Sequence, residues 1–360
     1  MTIVALGGAS SEETFGGKAS SLARAIGAGL PVPDGFAVSW QTVARAAARD
    51  AIAENAIASA FLEHRMNGAS RVAVRSSAIG EDSLDASFAG QHATILNVDS
   101  EDALLDAVRT IHASARSDGA SEYRKKMGLS AEPRIAIVVQ QLINADVAGV
   151  LFTRDPMTGA NERVIESVWG LGEGVVSGAI TPDRFRIRDD GTIVERHAAT
   201  KESAIRVARD GGTTEVALSS EDASRLTLTD GELASLHHLA QKCETFFGGP
   251  QDLEWGIANG ELFLLQSRPI TRMPAAGEEI HEPLTTRRFT GLALAALLAP
   301  LNSTIIAVAL PSIANTFDSS PAVVTRWLVT GYLVVSIVAQ SPAGKLADLW
   351  GFSRVLTLGR

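Results

Sequence analysis

Twenty-nine consecutive residues without a charge, Phe289 to Phe317, constrain this chain more than any other feature, because so long an apolar stretch must be withdrawn from water. A helix of about 20 apolar residues is enough to cross a bilayer. The run begins FTGLALAALLAPLNSTIIAVALP, and a second uncharged run of 18 residues, Trp327 to Gly344, reads WLVTGYLVVSIVAQSPAG. Together they predict a helical hairpin in a membrane, through residues 289–344. Arg287 and Arg288 precede the pair, Lys345, Arg354 and Arg360 follow it, and the loop between holds only Asp318 and Arg326. Positive charge stays inside, so both ends are expected in the cytoplasm. A buried helical hairpin of a soluble protein is the other reading.

The tail also divides the charge. Six Lys/Arg against two Asp lie beyond Leu284, so of the total of −9 the residues up to Leu284 carry −13. An acidic body excludes a general nucleic-acid binder, which needs a basic surface to neutralise phosphates. A single cysteine, Cys243, excludes an internal disulfide and a Cys-cluster zinc site, and fits a reducing cytoplasm. At the N-terminus the short apolar run Ile3 to Leu6 lacks the basic flank of a signal peptide. The segment from Arg272 to Arg288, with two prolines, a glycine and mixed charges, reads as a linker. The expected domains are 1–272, a linker over 273–288, and the paired helices within 289–360.

Before the linker, short β-patterned runs alternate with helical ones, which predicts an α+β body. Strands are expected at Phe36 to Ser39, Arg71 to Ser76, Arg134 to Gln140, Gly149 to Thr153, Arg163 to Val168, Leu253 to Ile257 and Leu262 to Ser267. Helices are expected at Lys18 to Ala28, Gln41 to Arg65, Glu101 to Arg116 and Asp230 to Phe247.

Four polar constellations suit a polyphosphate. Gly16-Gly17-Lys18 opens a helix, where glycines admit close backbone approach, the helix N-terminus favours anions and Lys18 adds a point charge. In the strand RVAVRSS, Arg75 emerges where the polar loop SSAIGEDSLDASFAGQ begins, and such a loop can fold over phosphates. The run WGLGEGVVSG fails the dinucleotide-binding glycine spacing and reads as a packing turn. The fourth, QDLEWGIANGELFLLQSRPIT, holds two alternating strands around Ala258-Asn259-Gly260. A two-residue Asn-Gly turn sets Glu254 against Leu265. A three-residue loop with Gly260 left-handed instead buries Leu253, Trp255, Ile257, Phe263 and Leu265 together, and is the expected register. It turns Asp252, Glu254, Gln266 and Arg268 to the opposite face, where carboxylate and amide oxygens suit Mg²⁺ and the arginine suits a phosphate.

These stretches resemble the N-terminal nucleotide-binding region of the phosphoenolpyruvate synthase and pyruvate phosphate dikinase family, which rifampicin phosphotransferase shares. The matching segments are GGKASSLARAIGAGLPVPDGFAVS, VAVRSSAIGEDSLDASFAGQ, GVLFTRDPMTG, VIESVWGLGEGVVSGAITPDRF and DLEWGIANGELFLLQSRPIT, in family order from residue 7 to 272. The resemblance implies a two-subdomain ATP-grasp fold with ATP in the cleft between. Carried over by position, Lys18, Arg75 and Arg268 would be catalytic and bind phosphates, with Gly90 and Thr94 nearby. Gln140 and Gln141 would lie near the hinge and adenine. Glu254 and Gln266 would hold Mg²⁺, assisted by Asp252 and Arg268. The stretch from Ser39 to Val72 is shorter than usual, which implies a reduced helical cap on the cleft.

Members of the family pass the phosphoryl group to a histidine on a swivelling domain, with AMP and phosphate as products. None of the seven histidines here stands in the family's Thr-Ser-His type of loop, so a separate phosphohistidine and acceptor domain or protein is expected. A non-catalytic ATP-binding or regulatory module tethered to the membrane, or a truncated fusion with a transporter fragment, is the alternative. In the tail, LNSTIIAVALP and GKLADLWGFSRVL resemble the first-helix motif and the loop after the second helix of drug:proton antiporters of the major facilitator superfamily. Asn302 replaces a common Asp there, and two helices cannot enclose a transport path.

Overall fold

The computed structural model describes residues 1–66, 68, 71–80, 93–116 and 133–270. The chain divides into Met1–Ile280 and His281–Arg360, and every described residue lies in the first unit. Both uncharged runs and the linker therefore lie outside the described residues. Among the described residues, no helix is long and apolar enough to cross a membrane.

The first part of the chain builds a five-stranded sheet. In chain order it runs β1 (Ile3–Ala5), a 3-10 turn (Leu6–Gly8), α1 (Glu12–Gly27), β2 (Gly35–Val38), α2 (Trp40–Ala47), α3 (Ala51–Met66), β3 (Val72–Ala78), β4 (Thr94–Val98), α4 (Glu101–Ser114) and β5 (Ile135–Gln141). The strands lie side by side as β1-β2-β5-β3-β4, each pair antiparallel. The β5 sequence IAIVVQQ is apolar at both parities because the sheet is covered on both faces. Val43, Ile57, Phe61, Leu104, Val108 and Ile111 of α2 to α4 pack on Val72, Val74, Ile137 and Val139. On the other face Phe15, Leu22 and Ala23 of α1 meet Ala37 and Val138.

The second part builds a six-stranded sheet. It comprises β6 (Val147–Phe152), β7 (Glu162–Trp169), α5 (Glu173–Val176), β8 (Asp183–Arg188), β9 (Ile193–His197), β10 (Ser203–Val207), β11 (Thr213–Ala217), α6 (Ser220–Ser224), α7 (Asp230–Phe247), β12 (Gln251–Ala258) and β13 (Glu261–Pro269). The order is β13-β12-β6-β7-β8-β9, with β10 and β11 as a separate two-stranded sheet. Helix α7 begins with a capping box between Thr229 and Glu232 and stops at Gly248, whose φ of 79° is the left-handed cap. Its Leu233, Leu236, Leu239, Ala240 and Cys243 pack on Leu151, Ile165, Phe185, Leu253, Trp255 and Leu264. Ala25, in the last turn of α1, and Leu30, just beyond it, join the same core. One helix thus starts in the first core and ends in the second. The mixed, antiparallel architecture agrees with the expected α+β class.

Two local expectations need correction. The single helix expected over Gln41 to Arg65 is two helices, because Arg49 takes a left-handed φ of 61° and Asp50 starts α3 afresh. The Asp50 carboxylate accepts from the amides of Ile52 and Ala53 at 3.0 and 3.2 Å, as a helix cap does. The expected three-residue loop in the last hairpin is instead a two-residue turn, with Ala258 opposite Glu261 and both Asn259 and Gly260 at positive φ. That conformation matches the twist of the strands it joins. A bulge between Glu254 and Trp255 then shifts the register, so that Glu254 faces Gln266 and Asp252 faces Arg268. Leu264, opposite Trp255, enters the core in place of Phe263 and Leu265, which are half-buried.

Candidate functional site

A cleft of about 420 Å³ collects residues from both sheets and from α1. Its polar end starts at Gly16, where α1 kinks through a non-helical φ of 80°, so that Gly17 and Lys18 open a fresh helical stretch. A side chain at Gly16 would place its Cβ 2.4 Å from both the Ser77 carbonyl oxygen and Ser77 Oγ, so only glycine admits this approach. Ser77 Oγ accepts from the Ala19 amide at 3.1 Å and caps that stretch. Lys18 is held there, only 5% exposed.

β3 brings Arg75 to the same place, opposite Thr94 of β4. Arg75 donates to the Glu254 carboxylate in an ion pair and to the Leu265 carbonyl at 2.6 Å. The bulge described above frees Leu265 for this contact and sets Glu254 beside Gln266, which is 4% exposed. Burial pushes the Glu254 carboxyl upward, but Arg75, Lys18 and Arg268 together outweigh it and hold the group below the usual carboxylate range. At Asp252 burial and the neighbouring Glu254 charge prevail over Arg268, and its carboxyl is raised to about 6. Three cations around one ionised carboxylate leave this end with positive charge in excess.

The other end is apolar. Leu96, Ile143, Ala145, Ala148 and Leu171 pack together there, from β4, the β5–β6 connection, β6 and the segment after β7, and Leu142 and Val176 also line the cleft. Gln140 and Gln141, at the end of β5, also line the cleft. Gln140 Nε2 donates to the Pro33 carbonyl at 3.3 Å, and the Gln141 amide donates to the Asp34 carbonyl at 2.7 Å.

The structure brings together Lys18, Arg75, Thr94, Gln140, Gln141, Glu254, Gln266 and Arg268 along one cleft. Asp252 is paired with Arg268 in register but does not line it. Gly90 lies outside the described residues. The run WGLGEGVVSG is more than the packing turn expected of it, since Leu171, Gly172, Glu173, Val176 and Ser177 line the cleft. Its place directly after a strand was the available signal. Ser77 was missed because nothing local marks a serine as the cap of a helix 58 residues away.

Glu254 and Gln266 offer a carboxylate oxygen and an amide oxygen on adjacent strands, a donor set that fits a hard divalent cation sharing its remaining positions with phosphate and water. Among the described residues no cluster of three or more His, Cys, Asp or Glu could hold a metal by itself.

The profile of the family described as pyruvate phosphate dikinase, AMP/ATP-binding domain, matches residues 49–288, and lends no support to the transporter resemblance beyond them. An uncharacterized phosphotransferase of Bacillus subtilis is 37% identical over 282 residues, 72% of this chain and 34% of that protein. A probable phosphoenolpyruvate synthase of Archaeoglobus fulgidus is 34% identical over 312 residues, 75% of this chain and 41% of that protein. A rifampicin phosphotransferase of Bacillus subtilis is 39% identical over 216 residues, 58% of this chain and 25% of that protein. The chain thus spans 25% to 41% of the length of these relatives. It belongs to the pyruvate phosphate dikinase AMP/ATP-binding domain family.

Proposed function

We propose that residues 1–272 form an ATP-grasp module that binds Mg-ATP and donates a phosphoryl group to a histidine carried by another domain or protein. One phosphoryl group goes to the histidine and the other to water, leaving AMP and phosphate. The observation that carries this reading is the polarity of the cleft: Lys18, Arg75 and Arg268 surround Glu254 at one end, and apolar side chains line the other. A triphosphate at the first end and a purine at the second satisfy both.

Lys18, Arg75 and Arg268 would offset charge on the phosphoryl group in flight from fixed positions, at no cost of reorganisation. Glu254 and Gln266 would hold Mg²⁺, which supplies positive charge to the phosphate oxygens. Glu254 also keeps Arg75 in place through their ion pair. None of the histidines on the described elements, His64, His112, His197, His237 and His238, lines the cleft, so none of these is placed to accept the group. The same observation suits the non-catalytic module. The two part on whether a histidine-bearing family domain, added in trans with Mg-ATP, becomes phosphorylated as AMP forms.

Calorimetry with ATP and Mg²⁺ tests the binding on which both depend, and absence of any heat of binding overturns it. For the tail, the uncharged runs support a tether to the cytoplasmic face of a membrane. The full chain should then fractionate with membranes, and its recovery as monodisperse protein without detergent overturns the tether.

A further inference from the structure

Arg71, one residue before β3, and Asn97, in β4, grip a hairpin that belongs to neither large sheet. The loop joining β10 to β11, residues 208–212, hangs on Arg71 and Asn97. Arg71 donates through Nη1 to the Ala208 carbonyl at 2.7 Å and to Asn97 Oδ1 at 2.6 Å, and through Nη2 to the Arg209 carbonyl at 3.0 Å. Asn97 donates through Nδ2 to the carbonyls of Ala208 and Gly212 at 2.8 and 2.7 Å. Asn97 is 2% exposed and holds a φ of 63°, a left-handed conformation that asparagine tolerates better than most residues. Such strain persists where the surroundings fix it, and here it accompanies an amide bonded to two loop carbonyls.

The other side of the hairpin rests on the six-stranded sheet. Gly170 and Ile205 form a parallel bridge, and the Leu171 amide donates to the Ile205 carbonyl at 2.9 Å. A Cβ at Gly170 would stand 2.2 Å from the Ile205 oxygen, so the two backbones meet with no room for a side chain. Ile205 and Val207 pack on Leu96, Ala145, Ala148 and Leu171, which all line the cleft. At the foot of the hairpin the fully buried Lys201 donates to the fully buried Asp183 carboxylate at 2.5 Å. The hairpin is fastened to both sheets and backs the apolar end.

We propose that Arg71 and Asn97 are positioning residues for the base of the bound nucleotide: by clamping loop 208–212 they make the hairpin a brace between the two sheets, and the brace sets the width of the apolar end. The proposal rests on the ATP-binding reading above. It separates the clamp from Arg75, which stands in β3 four residues beyond Arg71 but at the polar end.

The test uses Arg71→Ala and Asn97→Gly in the full chain. The second variant removes the side-chain donors while suiting the left-handed backbone, and serves if the first fails to fold. Calorimetry is run with Mg-ATP, with AMP and with tripolyphosphate. Both nucleotides should bind about tenfold more weakly to the variants, by the same factor, while tripolyphosphate binds as it does to the wild type. Equal loss for tripolyphosphate shows a general support of the fold, and unchanged AMP affinity shows that the hairpin has no hold on the base. Either result overturns the proposal. A wild-type protein that binds tripolyphosphate but neither nucleotide overturns the ATP reading instead, whatever the variants do.

Discussion

The two ends of the cleft are made by different means. At the polar end a few side chains act singly: Lys18, Arg75 and Arg268 each bring a full charge to Glu254 from α1, β3 and β13. At the apolar end no residue acts alone, because Leu96, Ile143, Ala145, Ala148 and Leu171 pack into one surface drawn from separate segments. Charge is therefore concentrated where one substitution removes much of it, and apolar area is spread so that one substitution removes little. The polar end should govern discrimination by phosphate number, and the apolar end should grip any adenine nucleotide alike.

Arg75→Ala should have the largest effect. It removes donors to the Glu254 carboxylate and the Leu265 carbonyl, and should weaken Mg-ATP about a hundredfold but AMP less than tenfold, measured by calorimetry. Equal loss for both nucleotides breaks the division between the ends. A smaller effect is expected from Leu142→Ala, about fivefold and the same for Mg-ATP and AMP, from the apolar area lost against the base. A loss confined to Mg-ATP would put phosphate where the base is proposed.

The smallest effect is on stability. Asp252 is raised to about 6 in the folded chain, so between about pH 4 and about pH 6 the folded state keeps a proton that the unfolded chain has released. The stability this gives is complete below about pH 4 and is lost as pH rises through about 6. Asp252→Asn keeps a neutral side chain throughout, so its melting temperature relative to wild type should rise by a few degrees from about pH 4 to about pH 7. A difference constant across that range would show that Asp252 ionises in the fold as it does in the unfolded chain.

How much the sequence disclosed follows the same division. Alternation along VAVRSS and DLEWG places Arg75, Asp252 and Glu254 on definite faces, and Gly16-Gly17-Lys18 marks a helix start that the kink at Gly16 supports. The bulge between Glu254 and Trp255 was not legible, because a three-residue loop and a two-residue turn followed by a bulge both bring Asp252, Glu254, Gln266 and Arg268 to one face, and alternation alone does not tell them apart. The break at Arg49 was legible in principle, since an aspartate followed by a helical run is a start signal that the longer helical pattern obscured. Asn97 could not be read, because its bonds to the loop join residues more than a hundred positions apart, whereas β10 and β11 pair locally around Asp210-Gly211-Gly212, a turn signal that the sequence does offer.

Cys243 sits in α7 with no exposed surface, and burial pushes its thiol up to about 12. It is the only cysteine in the chain. Alkylating reagents attack the thiolate, so the native protein should stay unlabelled until α7 lifts from the six-stranded sheet. The rate of labelling then times the opening of that half alone, without an introduced probe. Slowing by nucleotide would measure how firmly an occupied cleft locks a helix that never touches it.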